Sequence, residues 1–179
     1  MNTPSYTLNE AMEIAMLAAH SRSVVCLEGS PGIGKSSIVE MIAGALELPL
    51  YVINLPNHEC TDLTGLPWYD RDTHQTRFAP PAMLPTRPAV VFLDEITAAD
   101  TATKKAAQRL ILERRIGDYR LPEGSALICA GNLAAHRSGA TAVNMALDNR
   151  MIHVPIRASF ADFEAWALDA PVRPHTLRS

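Results

Sequence analysis

Gly29-Ser30-Pro31-Gly32-Ile33-Gly34-Lys35-Ser36 decides the fold of this 179-residue chain. The stretch fits the spacing G-x-x-x-x-G-K-[ST]. It follows the short apolar run Val24-Val-Cys-Leu27 and precedes a pattern in which Ile38, Met41, Ile42 and Ala45 recur at i, i+3, i+4 and i+7. A strand, a glycine-rich turn and a helix in that order gather backbone N–H groups and the helix's positive end around an anion. The glycines let the turn close without side-chain clash. The spacing predicts that residues 29–37, Ser37 included, cradle a nucleotide's phosphates, with Lys35 reaching the β- and γ-phosphates and Ser36 offering its hydroxyl to Mg2+. A glycine-rich turn carrying a chance lysine is the competing reading.

Four further apolar runs resemble the first: Leu50-Tyr-Val-Ile53, Ala89-Val-Val-Phe-Leu93, Ala126-Leu-Ile-Cys-Ala130 and Met151-Ile-His-Val-Pro-Ile156. Continuous runs of this length suit strands covered on both faces. Helical patterns lie between them. Thr7 and Glu10 have capping-box spacing before a stripe of Leu8, Ala11, Ala15 and Ala18, and Ala106, Ala107, Leu110 and Ile111 mark another stripe expected to end at Gly117. The alternation predicts a doubly wound α/β domain with right-handed crossovers, and together with the glycine-rich phosphate loop it points to a three-layer P-loop NTPase sandwich around a five-stranded parallel sheet. Residues 65–79 and 116–124 read as inserted β-hairpins, the first with Asp70-Arg-Asp72 at its turn, serving either a binding surface or a sheet edge.

Asp94 and Glu95 close the run Val90-Val-Phe-Leu93. A carboxylate held by a stiff strand can support Mg2+, and a second beside it can align or deprotonate water. Taken alone the pair could equally cap a helix, but the phosphate loop upstream favours the metal and water roles.

Composition narrows the alternatives. The net charge of −3 and pI near 6.0 lack the footprint of a protein built for nucleic acid or anionic lipid, and no apolar run approaches a membrane span. No secretory signal is visible at the start, and cytoplasm is the expected location. Of three cysteines, Cys26 and Cys129 read as buried reduced thiols and Cys60 as a loop thiol.

The ordered set SPGIGKSS, NLPNHECTDLTGLP, RFAPPAML, VVFLDEI, ERRIGDYRLPEG, CAGN and ALDNRMIHV resembles the AAA+ ATPase module, in particular its MoxR-type, dynein-related group with a helix-2 insert. The resemblance runs from about Thr7 to Ala170. It implies ATP and Mg2+ as ligands, Glu95 as the catalytic carboxylate and Asn132 as the sensor that contacts the γ-phosphate and lytic water. A turn asparagine after Gly131 is the plainer alternative for Asn132. Asn54 matches the polar partner that restrains the catalytic glutamate in some members, or else serves as a cap. Arg150, in Leu147-Asp-Asn-Arg-Met151, matches the arginine that reaches a neighbouring subunit's nucleotide. It could instead neutralise Asp148, and Arg137 is a second candidate for the trans contact.

An arginine acting in trans requires head-to-tail packing, and the resemblance implies a closed ring, usually of six. It also implies a remodelled protein partner, often beside a von Willebrand A-type protein. The first hairpin resembles the helix-2 insert, so Trp68, Tyr69 and Phe78 would grip a partner or pin the hairpin to the core.

The chain is expected to divide into a nucleotide-binding core, 1–158, and the first helix and tail of an absent or truncated lid, 159–179. Phe163, Trp166 and Ala167 would share one face of that helix before Pro171 ends it, and Arg173 or Arg178 would be its only substitutes for a second sensor. Two other activities fit parts of the pattern. One is an ATP-dependent interaction switch with little turnover, and the other is a small-molecule P-loop kinase.

Overall fold

The computed structural model describes residues 4–132, 150–157 and 159. Helix α1 (Leu8–His20) opens with a closed capping box, in which the Thr7 hydroxyl accepts from the Glu10 N–H and the Glu10 carboxylate accepts from the Thr7 N–H at 2.8 Å. Its buried stripe is Ala11, Ala15 and Ala18, small side chains that bring the helix close to the sheet. Strand β1 (Val24–Glu28) is buried at every position and leads through the glycine loop into α2 (Lys35–Ala45).

Strand β2 (Leu50–Asn54) passes through a 3-10 turn, Leu55–Asn57, to the short helix α3 (Cys60–Thr64). A hairpin of β3 (Pro67–Asp70) and β4 (Gln75–Phe78) follows, then β5 (Val90–Asp94) and α4 (Thr101–Glu113). A second hairpin, β6 (Arg115–Ile116) and β7 (Tyr119–Arg120), precedes β8 (Ala126–Gly131) and β9 (Met151–Pro155).

The order β2-β5-β8-β1-β9 makes one parallel five-stranded sheet. On one face Leu63 of α3 and Ala107 and Leu110 of α4 pack with Cys26, Leu93 and Cys129. On the other, Ala11 and Ala15 of α1 and Ile38 and Ile42 of α2 pack with Leu27, Phe92 and Ile128. Helix, sheet and helix make the three layers predicted, with α3 and α4 on one face and α1 and α2 on the other.

Several expectations change. The runs forming β2 and β9 are not covered on both faces, because both strands lie at sheet edges: Val52 is 59% exposed and Ile152 43%. The buried arc of α2 is Ile38, Val39, Ile42 and Ala43, while Met41 and Ala45 are exposed. This helix packs against α1 as well as the sheet, which turns its apolar arc by about one residue. Helix α4 ends at Arg114 rather than Gly117. Arg114 takes φ 52° and its guanidinium donates to the carbonyls of Ser125 (2.9 Å) and Arg22 (2.8 Å), fixing an exit that glycine usually provides. Gly117 instead turns the second hairpin. Cys60 begins α3 and is not in a loop.

Asp70 is the last residue of β3, and its carboxylate accepts from the N–H groups of Asp72 and Thr73, so the first hairpin turns over 71–74. The hairpins touch: the Asp118 carboxylate accepts from the Phe78 N–H at 3.0 Å. Among the described residues, no helix is long and apolar enough to cross a membrane. The expected lid segment beyond Ser159, with Phe163, Trp166, Ala167, Pro171, Arg173 and Arg178, lies outside the described residues, as do Arg137 and Leu147-Asp-Asn149.

Candidate nucleotide site

Parallel register brings the carboxyl ends of β1, β5 and β8 to one rim. Glu28 is level with Gly131, Leu93 with Cys129, and Asn54 with Asp94. The rim is where open α/β sheets bind ligands, because the loops leaving it converge. Gly29 begins the glycine loop there, and its N–H donates to the Gly131 carbonyl at 3.3 Å. Ser30, Pro31 and Ser36 are exposed, and Ile33 and Ser37 are half-buried.

The loop's conformation depends on two glycines. Gly32 takes φ 77°, and Gly34, the residue before α2, takes φ 99°. L side chains rarely adopt this region. Gly34 supplies no side-chain cap, and the first intrahelical bond runs from the Ile38 N–H to the Gly34 carbonyl. The N–H groups of Lys35, Ser36 and Ser37 are therefore first-turn donors at the positive end of an 11-residue helix without an acidic first turn, which suits an anion.

Lys35 is half-buried, and its ammonium donates to the carbonyls of Gly29 (2.9 Å) and Ser30 (3.1 Å), arching over its own loop. Burial pulls its pKa below the usual lysine range, and the carboxylates of Asp94 and Glu95 push partly back. The acidic pair is thus within electrostatic reach of the loop lysine although β8 separates their strands.

Asp94 and Glu95 do not cap a helix. That role belongs to Asp100, whose carboxylate accepts from the N–H groups of Ala102 and Thr103 and from the Thr103 hydroxyl. Asp94 instead accepts from the Glu95 N–H at 2.9 Å, and Glu95 follows at φ 54° with its side chain exposed. A tight turn thus presents the second carboxylate off the strand end.

Asn132 follows β8 between the loop and the acidic pair. Its N–H donates to the Thr97 hydroxyl at 3.1 Å. Thr97 was not singled out in the sequence. It fastens the acidic turn to β8 together with the Ile96 N–H, which donates to the Ala130 carbonyl at 2.9 Å, while Lys104 of α4 donates to the Thr97 carbonyl at 2.7 Å. The V-F-L-D-E-I-T run carries that threonine, but no spacing marks its hydroxyl as an acceptor. Asn54 sits beside Asp94 in register, and its side chain makes no cap to the 3-10 turn it precedes.

Arg150 lies elsewhere. It is exposed just before Met151, which is level with Val24 at the amino end of β1. With Arg22 and Glu113 it lines an open cavity of about 610 Å³ at the rim opposite the glycine loop. The structure does not bring Arg150 to the Lys35 site of its own chain.

The aromatic residues of the first hairpin divide. Phe78 is half-buried against the second hairpin, where a Cβ on Gly117 would meet its Cβ at 3.4 Å. Trp68 and Tyr69 are 52% and 58% exposed, with the Tyr69 hydroxyl 3.0 Å from His74 Nδ1.

Sequence inspection also missed a pair one residue before the loop. The buried Glu28 carboxylate lies 2.6 Å from Nδ1 of His153 on the neighbouring edge strand. The partners are far apart in sequence and meet only through β1–β9 pairing, where His153 is level with Cys26.

The fold is shared with solved structures of low sequence identity. A candidate ATPase of Cytophaga hutchinsonii is 17% identical with a TM-score of 0.60 over 87% of this chain and 48% of its own. A point mutant of RuvB from Thermotoga maritima is 20% identical with a TM-score of 0.61 over 90% and 50%. NtrX of Brucella abortus is 14% identical with a TM-score of 0.53 over 86% and 38%. The chain thus spans half the length of these proteins or less. No curated protein matches the sequence. The model of the AAA domain, dynein-related subfamily, matches residues 24–127, more than half of the chain and the whole stretch from β1 into β8, and the chain belongs to that family.

Proposed function

We propose that this chain binds and hydrolyses ATP with Mg2+ as a MoxR-like AAA+ module, working in a head-to-tail ring. Hydrolysis would move the hairpin bearing Trp68 and Tyr69 against a protein partner, such as one with a von Willebrand A-type domain. The single observation that carries the reading is the common rim on which the Lys35 loop, the Asp94–Glu95 turn and Asn132 converge.

The donor set fits the ligands. The N–H groups and ammonium of residues 29–37 suit a polyphosphate, and the Ser36 hydroxyl with the Asp94 carboxylate offers hard oxygen to Mg2+. Bound magnesium would neutralise charge on the phosphates. Glu95 is the base that orients water and takes its proton as the water oxygen bonds the γ-phosphorus and the bond to the bridging oxygen breaks. Asn132 holds the water or a γ-oxygen in line, and its backbone tie to Thr97 fastens it to the turn that carries Glu95.

The position of Arg150 supports the ring. A residue at the opposite rim serves a phosphate site only in another copy, and head-to-tail repetition supplies that copy. The exposed Trp68 and Tyr69 support a contact role, and the net charge of −3 favours a protein partner over nucleic acid. Buried thiols at Cys26 and Cys129 fit a reducing compartment, which supports the cytoplasm.

ATP binding and phosphate release measured across protein concentration test the reading. Lys35→Ala should lose binding. Glu95→Gln should retain ATP while turnover falls about 10²–10⁴-fold. Arg150→Ala should bind normally but lose the rise of specific activity with concentration. A rate indifferent both to concentration and to Arg150→Ala removes the trans site. Equal retention of ATP by wild type and Glu95→Gln removes the catalytic role of Glu95 and leaves an ATP-dependent switch.

A further inference from the structure

The Glu28–His153 pair has a third member. Cys26 lies two residues before Glu28 on the same strand face and level with His153 on β9, so the strand pleat and parallel register aim all three side chains into one space. One ligand atom from each, a thiol sulfur, a carboxylate oxygen and an imidazole nitrogen, lies within 4.8 Å of the others. Three atoms so spaced leave a point within about 2.8 Å of all of them, and shifts of about 0.5–0.8 Å would give ordinary zinc bond lengths.

We propose that Cys26, Glu28 and His153 form a binding site for a zinc-class divalent cation, separate from the magnesium site of the nucleotide loop. The donor chemistry sets the class. Mixed sulfur, nitrogen and oxygen donors suit Zn2+ and its Co2+ surrogate, whereas Mg2+ prefers oxygen alone. Burial supports a specific site, since the Cys26 side chain is fully enclosed and that of Glu28 is 9% exposed. His153 stands on an edge strand with 27% of its side chain exposed, which gives an ion a route inward. On binding, the Cys26 thiol releases its proton to solvent, the thiolate bonds the metal, and Glu28 exchanges its contact with His153 for a shared cation. The alternative is a hydrogen-bonded Glu–His pair beside a core thiol, with no affinity for metal.

Co2+ titration into the reduced chain of 179 residues separates the two. The site predicts one equivalent bound, a thiolate-to-cobalt charge-transfer band in the near ultraviolet, and displacement by Zn2+. Cys60→Ser should leave the band intact, and Cys26→Ser should abolish it. Because Cys26 is buried, the partly exposed ligand provides a second variant. His153→Gln should weaken Co2+ binding at least about tenfold with an unchanged circular dichroism spectrum. Absence of the charge-transfer band in wild type, its survival in Cys26→Ser, or undiminished affinity in folded His153→Gln would each overturn the site. The readout involves no nucleotide, so its failure leaves the ATP reading untouched.

Discussion

Glu95 holds a left-handed backbone, φ 54°, that an L side chain adopts at a cost of about 1–2 kcal/mol. Strain at a position whose side chain is exposed is consistent with selection for what the carboxylate does, because glycine would make the same turn more easily. Glu95→Gly is therefore expected to leave urea stability unchanged or raise it by up to about 1 kcal/mol, while removing phosphate release. A large loss of stability would mark the carboxylate as part of the scaffold. Asp100 shows the opposite economy. Bonds first from the Thr103 hydroxyl, then from the Thr103 N–H, hold its carboxyl below the usual aspartate range. Its folded pKa lies below its unfolded value, so its stabilising contribution is full above the ordinary aspartate pKa and lost as pH falls through the lowered one. Acid unfolding of Asp100→Ala should lack that part of the slope, with neutral-pH stability reduced and the difference from wild type narrowing toward low pH.

At the scale of elements, two glycines make opposite predictions. Gly65 ends α3 at φ 77°, and a Cβ there would lie 1.8 Å from the Ala79 carbonyl oxygen, where the chain returns from the first hairpin. Gly65→Ala should pry the hairpin from its base, seen as lower thermal stability and faster proteolysis between residues 65 and 79. Gly44 lies within α2 with nothing near its missing Cβ, so Gly44→Ala should stabilise by about 0.5–1 kcal/mol in denaturant titration. The elements visible in the sequence were those with one periodic or one fully apolar choice. Val24–Leu27 of β1, Val90–Leu93 of β5 and Ala126–Ala130 of β8 read correctly because burial on both faces favours an unbroken apolar run, and Thr7 and Glu10 announced α1. Strand order has no such local signature, which is why Val52 and Ile152 looked like interior positions. Five residues of α3 are too few to display a period. The loop and acidic turn were legible as short contiguous motifs, whereas Thr97, Glu28 and His153 acquire their roles from partners across the sheet.

For the whole molecule, the parallel sheet sorts chemistry by strand end. Every strand points the same way, so the loops after β1, β5 and β8 share one rim and the residue before β9 occupies the other. If copies engage rim to rim, each catalytic centre is completed by two chains, and injuries to different chains need not add. Lys35→Ala spoils only the centre a chain hosts, and Arg150→Ala only the centre it serves. Two inactive preparations, mixed equally and allowed to exchange subunits, should then regain activity at about a quarter of junctions, those pairing one sound host with one sound donor. Genetic complementation between alleles of a single polypeptide would follow from nothing more than the common direction of five strands.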